Sequence, residues 1–155
     1  MRKFILLIIS TAFLLGCNQT KKGREEKPTE NKQTNDVVDT SVSLSIEPNI
    51  FKLSELPEML KVTITNNTND TITTGLHYRI ENYKNNEWEQ VSPDQVFVDL
   101  GIILKPSDSH TFDKKLLSKQ IDYKVGKYRI VKHFLKSDYQ KTREKFNVYA
   151  EFEVD

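Results

Sequence analysis

Three histidines and one cysteine are the side chains of this 155-residue sequence with the greatest potential for metal or nucleophilic chemistry. His77, His110 and His133 are too far apart in the sequence to form a short metal-binding motif, and no Gly-x-Ser-x-Gly motif is present. A single cysteine excludes both an intrachain disulfide and a zinc cluster built on thiolates. We therefore predict that the protein is not an enzyme and that it holds no metal and no cofactor.

Polar and aromatic side chains at alternate positions of three predicted strands could instead form a binding surface. Arginine and tyrosine among apolar side chains are favoured in protein interfaces. The predicted partner-binding face consists of His77, Arg79, Arg129, Val131, His133 and Tyr149.

Two other interpretations of the same face remain open. Convergence of His77 and His133 with Glu151 would suit a metal or an anion, whereas a solvated face would hold only cross-strand pairs worth less than about 1 kcal/mol each. A bulge near Lys132 would reverse the alternation of its strand and bury Val131.

The elements that must position these residues show hydrophobic alternation with a period of two almost throughout residues 40–155. Clear examples are residues 42–46, 60–65 and 146–154, and Gly75 is a candidate bulge. Residues 84–87 predict a hairpin turn, and residues 96–104 predict a further extended run. No stretch predicts a long amphipathic helix. The pattern predicts an all-β protein, an antiparallel sandwich of seven to nine short strands, with a barrel as the structural alternative.

A Gly-x-Tyr sequence leads into a late strand at Gly126-Lys127-Tyr128 and resembles the tyrosine corner of immunoglobulin-like domains, in which the hydroxyl bonds upstream backbone. A wider resemblance covers residues 42–154. The segments that carry it are LKVTITNNTNDTITTGLHYRIENYKNNEWEQV, LKPSDSHTF, VGKYRIVKHF and AEFEV. These segments are similar to the bacterial immunoglobulin-like domain of small Gram-positive lipoproteins. The resemblance implies an immunoglobulin-like β-sandwich without assigned catalysis.

The N-terminus carries two positive charges followed by an apolar run over residues 4–16, as in a secretory signal peptide. The run is shorter than the roughly 20 residues that a membrane-spanning helix needs. It ends in Leu14-Leu15-Gly16-Cys17, which resembles the bacterial lipobox. That resemblance implies cleavage after residue 16 and lipidation of Cys17, so that the protein is anchored in the cell membrane on its extracytoplasmic face.

Residues 18–39 contain almost no apolar side chain before Val37 and are predicted to be a flexible tether. Contact of Lys21, Lys22 and Arg24 with anionic lipids is the alternative. The predicted organisation is a signal peptide at 1–16, the lipidated cysteine and tether at 17–39, and one domain at 40–155. A net charge of +1 argues against a nucleic-acid partner.

Taken together, the sequence predicts a lipid-anchored, non-catalytic binding module of the cell envelope with a protein partner. The alternative is an inhibitor or accessory subunit of an envelope enzyme such as a protease. That alternative would require a long exposed loop able to enter an active site, and the charged residues 137–145 are the candidate.

Overall fold

The structure, a computed structural model, describes residues 41–155. The predicted signal peptide, the predicted lipidation site Cys17 and the predicted tether lie outside the described residues. The described part contains a 3-10 turn at Leu53–Glu55, a short helix α1 at Tyr139–Thr142 and ten strands. The strands are β1 Val42–Ile46, β2 Ile50–Phe51, β3 Met59–Asn66, β4 Ile72–Thr74, β5 Arg79–Lys84, β6 Glu87–Gln90, β7 Ile102–Leu104, β8 Ser109–Lys115, β9 Gly126–Lys136 and β10 Phe146–Val154.

The strands form two open sheets, which confirms the predicted all-β sandwich. The smaller sheet has the order β1-β3-β8, and the larger has the order β2-β10-β9-β4-β7, with β5 pairing with β9 and β6 pairing with β5. All pairings are antiparallel except that of β2 with β10. No helix among residues 41–155 is long and apolar enough to cross a membrane.

The core lies between the sheets and is built by the alternation that the sequence shows. In β10, Val148, Ala150, Phe152 and Val154 are buried while Glu151 is exposed. The other sheet contributes side chains such as Val62 and Phe112 from β3 and β8. Burying a large apolar side chain contributes roughly 1.5–3 kcal/mol, so this alternation is the main force that holds the sheets together.

Two local predictions are confirmed by hydrogen bonds and dihedral angles. The Tyr128 hydroxyl donates to the carbonyl oxygen of Lys124 at 3.0 Å and accepts from its N–H at 2.9 Å, which is the bonding of a tyrosine corner. Asn85 and Asn86 both have positive φ, 53° and 67°, as a two-residue hairpin turn between β5 and β6 requires.

The β9 strand pairs with β10 without interruption, from Gly126 opposite Val154 to Phe134 opposite Phe146. The interpretation of a bulge near Lys132 is therefore wrong. The irregularity lies across the sheet, where residues 75–78 connect β4 to β5 opposite residues 132–133. The connection from β4 to β5 therefore has more residues than the part of β9 that it faces, and it begins at the candidate bulge Gly75.

Because β9 keeps its register, Lys132 points into the sandwich and is only 1% exposed. Its ammonium nitrogen donates to the carbonyl oxygens of Gly75 at 2.6 Å and His77 at 3.1 Å. The buried Lys114 of β8 donates to the carbonyl oxygen of Leu76 at 2.6 Å. The two lysines, one from each sheet, thus fix the backbone that leads into β5.

Candidate functional site

The six residues predicted to form a partner-binding face lie together on the outward side of the larger sheet. The register places Val131 of β9 between Tyr149 of β10 and Arg79 of β5. Arg129 lies one row along, between Glu151 and Glu81. The structure therefore brings side chains from three strands and from the segment before β5 to one surface. We call this surface the β9 face, and it consists of His77, Arg79, Arg129, Val131, His133 and Tyr149.

Glu81 holds the two arginines of this face. The Nε atom of Arg79 donates to Oε1 of Glu81 at 2.5 Å, and Nε of Arg129 donates to Oε2 at 2.6 Å. The Glu81 side chain is only 7% exposed. A buried carboxylate requires compensating charge, so each arginine is oriented by a partner that is itself fixed in the sheet.

Two aromatic rings enclose the Arg129 guanidinium. Its central carbon lies 4.4 Å from the centroid of Trp88 and 4.7 Å from the centroid of Tyr149. Trp88 in turn packs against Tyr83 across the β5–β6 hairpin, with ring centroids 5.0 Å apart. The result is a row of aromatic and guanidinium planes, the residue types most enriched at energetically important positions of protein interfaces.

The two histidines of the face are neighbours, with ring centroids 5.5 Å apart. Burial, followed by the charges of His77 and Lys145, lowers the pKa of His133 to about 4. Burial, with the positive charges of Lys132 and Arg79, also lowers the pKa of His77. Both rings are therefore neutral near pH 7.

The structure does not bring Glu151 to these two histidines. Glu151 is exposed and lies opposite Arg129, one strand row beyond Val131. Within residues 41–155, no group of three or more His, Cys, Asp or Glu side chains is placed to hold a metal ion. The neutral rings instead contribute donors, acceptors and aromatic surface to the face.

Val131 differs from the other five residues because it is only 2% exposed. Its side chain points outward, as the alternation predicts, but Tyr149 and Arg79 flank it on the neighbouring strands. A partner could not reach it directly. Its contribution is to support the side chains on either side.

Sequence reasoning missed Glu81 and Trp88, which complete the arginine network. Glu81 has the same strand parity as Arg79, and Trp88 lies opposite Tyr83 once the hairpin turn is placed at Asn85-Asn86. The alternation that identified Arg79 therefore also predicts that Glu81 points outward. The register of the hairpin predicts the position of Trp88.

The candidate inhibitor loop, residues 137–145, turns back on itself. Its backbone forms helix α1, with the Thr142 N–H donating to Asp138 at 3.1 Å and the Arg143 N–H donating to Tyr139 at 2.8 Å. This segment is a compact corner between β9 and β10, in contrast to an extended tip that could enter an active site.

Comparisons with known proteins give a family and a distant structural likeness. The family described as Bacterial Ig-like domain matches residues 39–153. A solved structure described as the periplasmic chaperone SfaE is similar, with 11% sequence identity and a TM-score of 0.36 over 70% of this chain and 55% of that chain. This chain therefore spans about half the length of the chaperone chain. No curated protein matches the sequence.

Proposed function

This chain belongs to the bacterial Ig-like domain family, and from that premise we propose that it is a non-catalytic, lipid-anchored module that binds a protein partner through the β9 face. An immunoglobulin-like domain is typical of a binding or interaction module. Binding through the β9 face is supported above all by the Arg129 guanidinium, which lies between Trp88 and Tyr149 and bonds the buried Glu81.

The arrangement supports binding because the side chains are positioned before a partner arrives. An exposed arginine loses rotamer freedom when it enters an interface, at about 0.5–1.5 kcal/mol for a flexible side chain. Arg129 is already ordered by one carboxylate and two rings, and its side chain is 11% exposed. A partner therefore meets a rigid aromatic and cationic surface of the kind found at binding hot spots.

Affinity capture with the full-length protein in membranes of expressing cells tests whether the β9 face binds a partner. Tyr149→Ala removes one ring of the Arg129 enclosure and leaves the Glu81 contact in place. We expect it to reduce recovery of a specific protein at least about tenfold, the effect of a hot-spot truncation. Thr111→Ala, on the outward side of the smaller sheet, is the matched control and should leave recovery unchanged. Equal recovery with both variants would reject the β9 face as the binding surface.

The proposed anchor is supported by the apolar run at residues 4–16 and the position of Cys17 directly behind Gly16. A diacylglyceryl group joined to the thiol sulfur provides two acyl chains that enter the bilayer, enough for stable membrane attachment. Cys17→Ser should release the protein from the membrane fraction or leave the unprocessed precursor. A variant that remains membrane-bound at the mature mass would contradict lipidation at this residue.

A further inference from the structure

The segment that joins β6 to β7 exposes large apolar side chains in a way that packing does not explain. Val96 is 102% exposed and Val98 is 77% exposed, and Leu100 and Ile103 are also exposed. Large apolar side chains concentrated in so short a segment mark interaction sites more often than chance. We call these four residues the apolar ridge.

The backbone of the same segment has unused hydrogen-bonding capacity. Apart from ladder bonds of β7, residues 93–100 make one bond to another backbone group within the described chain, from the Leu100 N–H to the Val98 oxygen at 2.9 Å. The segment continues into β7, which is the outermost strand of the larger sheet and pairs with β4 only. Free backbone groups beside an edge strand are the feature that allows an extended segment of another protein to add to a sheet.

A polar cavity of about 230 Å³ opens at the start of the ridge. Its lining includes His77, Arg79, Gln90, Asp94 and Gln95. The buried Nε2 atom of Gln95 makes no hydrogen bond of good geometry, and the Gln95 side chain interacts weakly with the Tyr78 hydroxyl. A buried amide donor with so incomplete a bond is unfavourable, and an acceptor supplied by a ligand would complete it.

Arg79 provides the positive charge that would hold a carboxylate as that ligand. The Arg79 guanidinium, oriented by Glu81, provides a cation, and His77 and Gln95 provide further polar groups. Asp94 is the one acidic side chain of the lining, and its Oδ1 atom lies 3.5 Å from Nε2 of Gln90. Arginine binds carboxylates through its planar set of donors, so the Arg79 side of the cavity suits an acidic group.

We propose that the cavity and the apolar ridge together dock an extended segment of the partner, in which a carboxylate is followed by apolar side chains at every second position. This inference rests on the proposed function, because the cavity shares His77 and Arg79 with the β9 face. Side chains two residues apart point to the same side of an extended chain. The carboxylate enters the cavity beside Gln95, and the apolar side chains cover Val96, Val98 and Leu100.

The test measures binding of rhodamine-labelled peptides to the full-length protein in detergent by fluorescence anisotropy. The first peptide has the sequence Glu-Val-Thr-Val-Thr-Val with blocked termini, and the second replaces Glu by Gln. We expect the Glu peptide to bind at least about tenfold more tightly, as a charge-assisted bond in a cavity implies. Arg79→Gln should abolish this difference.

A second variant tests the ridge without touching the charge network. Val98→Asp changes an exposed side chain, so the fold should be retained, and it should weaken both peptides at least about fivefold. Val125→Asp, at a similarly exposed valine, is the control and should leave binding unchanged. Equal affinity for the two peptides, no binding of either, or no effect of Val98→Asp would overturn the inference. If Tyr149→Ala still reduces partner recovery in that case, the proposed function stands while the docking segment is wrong.

Discussion

The two sides of strand β9 both hold cations against aromatic rings, but they stabilise them differently. On the inner side, Lys132 lies over the ring of Phe112, 4.0 Å from its centroid, and bonds only backbone carbonyls. On the outer side, Arg129 lies between two rings and bonds the carboxylate of Glu81. The inner cation has dipoles for partners, whereas the outer one has a full opposite charge.

The pKa values follow this difference. Burial lowers the pKa of Lys132 to about 7, with a further contribution from the positive charge of Lys114, whose own pKa burial lowers to about 8. Carbonyl dipoles and ring quadrupoles therefore only partly replace the hydration of an ammonium. The inner side is suited to fixing the backbone before β5, and the outer side to presenting a permanent charge to a partner.

The largest effect is expected from Glu81→Gln, which removes the shared carboxylate of the outer side. Breaking a buried ion pair by removing one partner typically lowers the free energy of unfolding by about 3–5 kcal/mol, and we expect about 3 kcal/mol here. Urea unfolding measures it. Asp113→Asn is the control, because the Lys61–Asp113 pair is exposed and should contribute less than about 1 kcal/mol. Equal losses in the two variants would remove the distinction between Glu81 and a surface acid.

The inner side is tested by pH. Because the folded pKa of Lys132 lies below the ordinary value of 10.5, the unfolded chain binds more protons above about pH 7. The free energy of unfolding should therefore rise with pH from 7 to 9, and this contribution is lost as pH falls through the folded pKa. Lys132→Met should reduce the rise by more than about 1 kcal/mol, measured by urea unfolding at several pH values.

Lys114→Met should reduce the same rise by less, since its folded pKa is nearer the ordinary value. Lys61→Met, at an exposed lysine, is the control variant. An unchanged slope in Lys132→Met would mean that the inner ammonium is not destabilised by burial.

A second pH effect, on the acid side, is expected from the histidine of the outer side. The folded pKa of His133 is about 4, below its ordinary value of 6.5, so the unfolded chain binds more protons between those values. The free energy of unfolding falls as pH drops from 6.5 toward 4. His133→Gln should reduce this fall in the free energy of unfolding by about 1 kcal/mol or more, and His110→Gln is the comparison variant. Identical acid limbs in the wild-type protein and His133→Gln would contradict the assigned pKa.

The smallest effect is expected at a turn remote from both sides. Ser107 has φ of 67° in the turn in which the Asp108 N–H donates to the Lys105 oxygen at 3.0 Å. A position with left-handed backbone angles directly after a proline favours glycine. Ser107→Gly should raise the free energy of unfolding by up to about 1 kcal/mol, measured by thermal and urea unfolding. A loss of stability would show that the serine side chain contributes more than the backbone preference.

Much of the fold follows from the sequence because alternation encodes which side of a strand is buried. The inward set of β10, the Asn85-Asn86 turn and the Tyr128 corner all depend on local spacing. The run over residues 96–104 was predicted to be extended throughout, yet only Ile102–Leu104 pairs. Pairing depends on which strand lies alongside, and the sequence pattern does not contain that information.

The β9 face could be predicted as a set of residues but not as a network. The alternation predicts that Arg79 and Arg129 point outward. That they share the carboxylate of Glu81 follows only from the pairing of β5 with β9. Lys132 was the misleading residue, since a lysine at an inward position argues for a bulge. The structure keeps the register because the irregular segment after Gly75 supplies carbonyls to its ammonium.

The central claim is that the outer side of β9 meets a protein partner, and site-specific photo-crosslinking tests it most directly. A benzophenone amino acid replaces Tyr149 in the full-length protein in living cells, and replaces Thr111 in a matched strain. Thr111 lies on the outward side of the smaller sheet and bonds Thr63 at 2.8 Å. We expect a discrete adduct from position 149 that is absent from position 111. An adduct from position 111 alone, or from neither position, would contradict it.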